Sequence, residues 1–121
     1  TPYILQVEYC TAKRPTASLR GRRADYANSF RAVEVSVRRV FPFIAVRGNP
    51  MLPLQRPRVG SFEVTLSDGG RPRTIWSKIE TGEWPGRMDD ILGRVAAVLR
   101  AAEASALHHE LPDDRSVVQV L

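Results

Sequence analysis

The chain has 121 residues, of which 43% are hydrophobic and 26% are charged, and its formal net charge is +5 at neutral pH. This composition excludes a disordered or collagen-like chain and predicts one globular domain with a single core. Cys10 is the only cysteine, which excludes an intramolecular disulfide, a Cys-rich zinc site and a dithiol redox centre within one chain. No apolar run reaches the ~20 residues that a membrane-spanning helix needs, so we expect no membrane span.

The charge is distributed unevenly along the chain. Residues 1–79 carry fourteen Lys or Arg and five Asp or Glu, whereas residues 80–121 carry four and eight. Most of the cations are Arg, whose forked guanidinium suits carboxylate and phosphate contacts at interfaces. We therefore expect a partner with an anionic surface, and the candidates are an acidic protein face, anionic lipid and RNA. A solvated basic surface without a partner is the alternative interpretation.

The first half of the chain predicts a strand, a helix and a second strand. Residues 3–9 are β-branched, aromatic and partly alternating, which is typical of a strand. Residues 11–23 lack an apolar period and predict an irregular loop. A helix is expected from Asp25 until Pro42, followed by a short strand at 43–46. The apolar positions of the helix recur at spacings of three and four: Phe30, Val33, Val37 and Val40.

The second half predicts a β-hairpin and a long helix. Residues 47–60 contain three prolines, too many for a regular element. Residues 61–66 alternate apolar and polar side chains, and together with a returning strand at 74–79 they predict a hairpin. A helix is expected to start at the acidic pair 89–90 and to end near 108–109. Its apolar positions are Ile91, Val95, Val98 and Ala102.

The element order β-α-β-β-β-α predicts an α/β fold. A strand, crossover helix and second strand predict a parallel pair, and the hairpin then completes a mixed sheet. Helices that cover such a sheet give a sandwich of the thioredoxin-like type. We expect residues 1–102 to form this domain, with an expanded loop at 11–24 after the first strand. Residues 103–121 are expected to form the helix end and a C-terminal extension.

Four short segments occur in an order that is found in one protein family: VEYCT at 7–11, GSFEVTL at 60–66, WSK at 76–78 and GEWP at 82–85. They resemble the selenoprotein W, T and H family of small thioredoxin-like proteins, and GSFEVTL is most similar to selenoprotein H. The match covers most of residues 3–102. Members of the family carry Cys-x-x-Cys or Cys-x-x-selenocysteine after the first strand and are regarded as thiol-disulfide oxidoreductases.

This chain departs from the family at the redox pair. The quartet is Cys10-Thr11-Ala12-Lys13, so Lys13 stands where the resemblance places the second Cys or selenocysteine. Without a resolving thiol, Cys10 can at most become glutathionylated or trap a partner. Free cysteine is among the most buried residue types, which favours a buried and inert Cys10. The alternative is a redox-active Cys10 with Lys13 and Arg14 as electrostatic activators.

The remaining motifs indicate no catalytic, cofactor or metal site. His108 and His109 are adjacent on a helix, whereas a metal pair on one face needs i, i+4 spacing. The helix dipole explains the acidic pair Asp89 and Asp90, and a turn explains the pair Gly69 and Gly70. Three aromatic residues fall at expected core positions, which argues against base stacking in RNA. They are Phe41, Phe43 and Phe62.

The sequence therefore predicts a non-catalytic accessory subunit of a larger protein assembly. Thioredoxin-like folds occur as non-redox subunits of mitochondrial complexes, so the resemblance implies a respiratory-chain complex or ATP synthase in the mitochondrion, with the cytoplasm as the alternative. Other candidate functions are a single-cysteine thiol redox protein and an RNA-binding or ribosomal subunit. The Arg-rich loop and the strand-like C-terminal end are expected to contact partners. The residues concerned are Arg14, Arg20, Arg22, Arg23, Val117, Val118, Val120 and Leu121.

Overall fold

The computed structural model describes residues 3–12, 23–68 and 71–110. These residues form an α/β domain with one open four-stranded sheet and three helices. In chain order the elements are β1 (Tyr3–Tyr9), α1 (Arg23–Val40), β2 (Ile44–Gly48), β3 (Phe62–Ser67), β4 (Pro72–Ser77), α2 (Lys78–Thr81) and α3 (Met88–Glu110).

The sheet is mixed and has the strand order β2-β1-β3-β4. β1 pairs in parallel with β2, where Leu5 faces Val46, and antiparallel with β3, where Val7 faces Val64. β3 and β4 form an antiparallel hairpin. The predicted parallel pair and mixed sheet are confirmed, and the architecture is compatible with a thioredoxin-like α/β fold.

The core lies on one face of the sheet, beneath α1 and α3. The two helices contact each other as well as the strands. Successive side chains of a strand point to opposite faces, so β1 and β3 bury every second residue against the helices. The residues between them, such as Gln6, Glu8 and Glu63, face away from the core. The buried cluster contains Leu5, Val7, Cys10, Tyr26, Val33, Val37, Ile44, Val46, Phe62, Val64, Leu66, Ile75, Ile91, Val95 and Leu99.

α1 has the charges that suit its two ends. Asp25 lies in the first turn, and Arg38 and Arg39 lie in the last, so each charge is favourable to the helix dipole. Pro42 follows and cannot continue the helix. The predicted helix is confirmed, and it starts at Arg23, two residues before the expected position.

The second strand of the hairpin begins and ends two residues earlier than predicted. β4 ends at Ser77, whereas Lys78 and Ile79, expected in the strand, form the first turn of α2. The Ser77 hydroxyl accepts a hydrogen bond from the backbone N–H of Glu80 at 3.1 Å, which caps this turn. Gly82 ends α2 in the left-handed region at φ 73°. Capping at both ends therefore overrides the strand propensity of Ile79.

Two apolar residues expected in the core lie at the surface. Val40 is exposed in the last turn of α1, and Phe43 is 59% exposed. β2 starts at Ile44, so Phe43 precedes the strand and its alternation. In α3 the predicted Ile91 and Val95 are buried, whereas Val98 is only partly buried and Leu99 is buried in its place. The predicted apolar stripe therefore extends one residue too far at the end of α1, and in α3 it is wrong at one position.

α3 is a 23-residue helix with Asp89 and Asp90 in its first turn. It passes the expected end at 108–109 and continues to Glu110. Within the described ranges, no helix combines the length and apolar character needed to span a bilayer. The expected C-terminal extension at 111–121 lies outside the described residues.

Gly48 lies where β2 comes close to α1. A Cβ atom at this position would be 2.7 Å from the ring of Phe30, which stacks on Tyr9 with a centroid distance of 5.0 Å. We expect Gly48→Ala to lower the free energy of unfolding by about 1–3 kcal/mol because the stacked ring must move. Urea unfolding measures this change.

Gly93→Ala is the matched control. Gly93 is exposed on α3, and no atom lies within 4 Å of its Cβ position. Alanine improves helix propensity there, so the free energy of unfolding should rise by about 0.5–1 kcal/mol. Equal effects of the two substitutions would contradict the close approach at Gly48.

Candidate functional site

Cys10 lies in the core at the end of β1. Its side chain is 2% exposed. Its backbone N–H donates to the Ser61 carbonyl at 2.9 Å, which extends the β1–β3 ladder one pair beyond Tyr9 and Phe62. The expected burial of Cys10 is confirmed, while its reactivity stays a prediction.

Most of the predicted contact residues lie outside the described residues. These are Arg14, Arg20, Arg22, Val117, Val118, Val120 and Leu121, and Lys13, the predicted activator of Cys10, also lies outside the described residues. Arg23 is the first residue of α1, and its side chain is not described. The activation of Cys10 by Lys13 and the partner contacts of the Arg-rich loop and C-terminal end therefore stay predictions.

A buried ammonium group lies beside the start of β3. Lys78 is 7% exposed, and its Nζ donates to the Tyr26 hydroxyl at 3.2 Å and to the Gly60 carbonyl at 3.3 Å. Nζ also lies 5.4 Å from the ring centroid of Tyr26 and 5.2 Å from that of Trp84, within cation–π range. Over the described ranges, no carboxylate lies within ion-pair distance of Nζ. Neutral oxygens and aromatic rings therefore stabilise this charge.

Ser61 contributes a second unusual polar group at this end of the sheet. Its Oγ is buried and has no hydrogen-bond partner in the described part of the chain. Buried hydroxyls are normally paired. The Cys10 end of the sheet thus combines a thiol, an ammonium and an unpaired hydroxyl, but it has no second thiol for disulfide exchange, because the chain contains one cysteine.

A cavity lies on the face of the sheet that points away from α1 and α3. It has a volume of about 340 Å³ and lies between the strands and the loop of residues 49–60. We call it the sheet-face cleft. The strands contribute Gln6, Glu8, Glu63, Thr65 and Thr74 to its lining.

The 49–60 loop is attached to β1 at both of its ends. At the first end, the backbone N–H of Asn49 donates to the Val7 carbonyl at 2.8 Å, and the Asn49 Oδ1 accepts from the backbone N–H of Tyr9 at 2.8 Å. At the second end, the backbone N–H of Arg58 donates to the Glu8 Oε2 at 2.7 Å. The loop therefore crosses the polar face of the sheet and is hydrogen-bonded to β1 at both of its ends.

Arg58 places a cation beside two carboxylates that face each other across β1 and β3. Glu8 and Glu63 are direct partners in the β1–β3 register, where like charges repel. Nη2 of Arg58 lies 2.9 Å from Glu8 and 4.0 Å from Glu63. Burial by itself would raise the pKa of Glu8, but the hydrogen bonds and charge of Arg58 outweigh burial and hold that pKa below its ordinary value of 4.5. Glu8 is therefore ionised and paired at neutral pH.

The Glu63 carboxylate joins β3 to the first turn of α2. It accepts a hydrogen bond from the Ser77 hydroxyl, and it accepts backbone N–H bonds from Lys78 at 2.8 Å and Ile79 at 3.3 Å. The first N–H groups of a helix have no partner within the helix, so the carboxylate satisfies them. Both central carboxylates of the cleft are thus engaged within the chain, and we assign them a structural role.

Comparisons with protein-family models, with curated proteins and with solved structures find no match for this chain. In the three described ranges, no group of three or more His, Cys, Asp or Glu is arranged to hold a metal ion. The candidate function therefore depends on the Cys10 end and the sheet-face cleft.

The sequence does not predict the sheet-face cleft, although its alternation of apolar and polar residues identifies part of the lining. The alternation in residues 61–66 places Glu63 and Thr65 on the face away from the core. The missing information is the position of the 49–60 loop, which depends on a contact between Glu8 and Arg58. These residues are fifty positions apart, so no local pattern connects them.

Arg58→Gln tests the attachment of the loop. Because the Arg58 side chain is mostly exposed, we expect a loss of about 1 kcal/mol in the free energy of unfolding at neutral pH. The lowered pKa of Glu8 means that its contribution is fully present above 4.5 and is lost as the pH falls through the pKa of the folded state. The difference between the wild type and the variant should therefore shrink in urea titrations below pH 4.5.

Arg56→Gln is the control for this variant. Arg56 lies in the same loop, is exposed and has no ion-pair partner among the described residues. We expect little change in stability and no dependence of that change on pH. Equal losses in the two variants would indicate a general effect of charge and would contradict the specific contact with Glu8.

Proposed function

We propose that the protein is a non-catalytic accessory subunit of a larger assembly, built on a thioredoxin-like fold that has lost its second redox cysteine. The fold supports this through the strand order β2-β1-β3-β4, with α1 connecting the parallel strands β1 and β2. Cys10 follows β1, the position at which the selenoprotein W, T and H family carries its redox pair. Lys13 stands in place of the second redox residue.

The burial of the only thiol is the observation that carries the proposal. Thiol-disulfide exchange requires an accessible thiolate and then a second thiol that releases the mixed disulfide. Cys10 is 2% exposed, and the chain has no other cysteine. The side chain packs as a small apolar residue within the core cluster, which suits a structural role.

Exposed apolar side chains support a role in docking. Leu54 is 96% exposed, and Met51 and Leu52 in the same loop are also exposed. On the other side of the domain, Val40 and Phe43 are exposed beside the edge strand β2. Groups of exposed apolar side chains frequently mark interaction surfaces.

For the assembly we propose a mitochondrial complex, either a respiratory-chain complex or ATP synthase, by analogy with other non-redox thioredoxin-like subunits. The cytoplasm is the alternative location. The basic first part of the chain suits an acidic protein surface, with anionic lipid and RNA as the other anionic partners. RNA binding would weaken steeply with salt because it releases counterions, so salt-insensitive assembly would exclude it.

The second candidate function is a single-cysteine thiol redox protein that uses Cys10 as its nucleophile and Lys13 as an electrostatic activator. The burial of the thiol opposes this function, and the lack of a resolving thiol limits it to a mixed disulfide.

The reactivity of Cys10 distinguishes the two functions. For an accessory subunit we expect the folded chain to react with a chromogenic aromatic disulfide at least about tenfold more slowly than glutathione, because the domain must open first. The same reagent in denaturant should count one thiol per chain. A folded-state rate above that of glutathione, with a disulfide reductase activity that Cys10→Ser abolishes, would establish the redox function instead.

The C-terminal end is expected to anchor the chain to its assembly. Removal of residues 112–121 deletes an apolar strand-like segment, so a tagged shortened chain should lose most of its copurification from the source cells. Its melting temperature should stay unchanged if the segment serves only as an anchor, since the core of the described residues extends to Leu99. Substitution of Asp113 and Asp114 by Ser is the control and should leave copurification intact. Undiminished copurification of the shortened chain would exclude an anchoring role.

A further inference from the structure

We propose that the sheet-face cleft is a docking site for an extended segment of a partner polypeptide that carries an apolar residue beside a Lys or Arg. This inference rests on the proposed accessory-subunit function and names the surface that holds the partner. It is supported by the part of the sheet face that the described residues leave open, by hydrogen-bonding groups that they do not use and by the local charge.

The face of the sheet opposite α1 and α3 is covered only in part. The 49–60 loop crosses it between the attachments at Asn49 and Arg58, and a space of about 340 Å³ remains beneath and beside the loop. This volume is near the lower end of the ~300–1,000 Å³ range of ligand pockets. A narrow peptide segment fits such a space, whereas a folded surface does not enter it.

The cleft contains hydrogen-bonding groups that the described residues do not use. Gln6 and Gln55 present amides that both donate and accept, and Thr65 and Thr74 present hydroxyls. Thr65 and Thr74 are neighbours across β3 and β4. None of these four side chains has a hydrogen-bond partner in the described part of the chain. A peptide backbone offers one N–H and one C=O per residue, which matches a row of neutral donors and acceptors.

The charge within the cleft has the opposite sign to that of the whole chain. Its lining includes the three carboxylates Glu8, Glu63 and Glu80 and the single guanidinium of Arg58, which leaves a formal charge of −2. The whole chain carries +5. Arg47 pairs with Gln6 in the sheet but does not line the cleft. A basic side chain in the bound segment would therefore be attracted, and an acidic one would be repelled.

Apolar side chains at the edge of the cleft favour an apolar neighbour for that basic residue. Met51 and Ile79 both line the cleft, and both are exposed. Leu54 extends from the same loop into solvent. An apolar side chain of the partner would remove part of this surface from water, which is the main favourable contribution to most protein association.

The test is selection of a phage-displayed library of random nonapeptides against the whole chain. We expect the selected peptides to combine an apolar residue with an adjacent Lys or Arg, and acidic residues to be depleted. Thr74→Trp fills the cleft from an exposed position on β4, so it should weaken binding of the selected synthetic peptide by at least about tenfold. Thr65→Val removes one hydroxyl and should weaken binding about fivefold.

Val35→Trp is the matched control, because it adds the same ring to an exposed position of α1 on the other side of the sheet. It should leave peptide binding unchanged. Far-ultraviolet circular dichroism checks that each variant is folded. Backbone amide shifts of the wild-type chain at residues 6, 65 and 74 provide a readout that needs no variant, and they should change when the peptide is added.

The remaining outcomes either overturn the inference or separate it from the accessory-subunit function. Selection of no peptide, selection of acidic peptides, or amide shifts confined to α1 would exclude the cleft as the docking site. Normal copurification of the Thr74→Trp chain with its assembly would also exclude the cleft while leaving the accessory-subunit function intact. A reactive Cys10 together with peptide binding in the cleft would remove the non-catalytic function and retain the docking site.

Discussion

The contact between Arg58 and Glu8 shapes the face of the sheet that points away from α1 and α3. It joins residues fifty positions apart and attaches one end of the 49–60 loop to β1. It also places a cation beside Glu8 and Glu63, which face each other across β1 and β3. Without that cation, two partly buried like charges would oppose the pairing of the central strands. The same guanidinium therefore supports both the sheet and the loop that encloses the cleft.

The sheet separates two regions with different chemistry. On the helix-covered side, apolar side chains dominate, and Cys10 behaves as one of them. On the other side, charged and amide side chains line an open cleft. A thiol in the first region has neither solvent access nor a second thiol, whereas the second region has unused hydrogen-bonding groups and exposed apolar neighbours. This separation favours binding over redox chemistry as the use of the domain.

Local patterns in the sequence predict the elements well, because periodicity reports which face of an element is buried. The alternation at 61–66 gives β3, and spacings of three and four give α1 and α3. The errors occur where a local contact competes with propensity, as in the capped turn that takes Ile79 out of β4. Phe43 is exposed because β2 begins one residue later than its apolar run suggests. The cleft depends on a distant ion pair, which no short window of sequence contains.

Lys78 connects the two regions of the domain. Its backbone N–H donates to the Glu63 carboxylate at the cleft, while its Nζ lies within cation–π range of the rings of Tyr26 and Trp84 and donates to the Gly60 carbonyl. Lys78 therefore contacts a carboxylate on one face of the sheet through its backbone and groups on the other face through its side chain. Because Gly60 precedes the strand that pairs with Cys10, the packing around the thiol is held by contacts that involve no sulfur. Such an arrangement holds the Cys10 end in place without a disulfide, because Cys10 is the only cysteine of the chain.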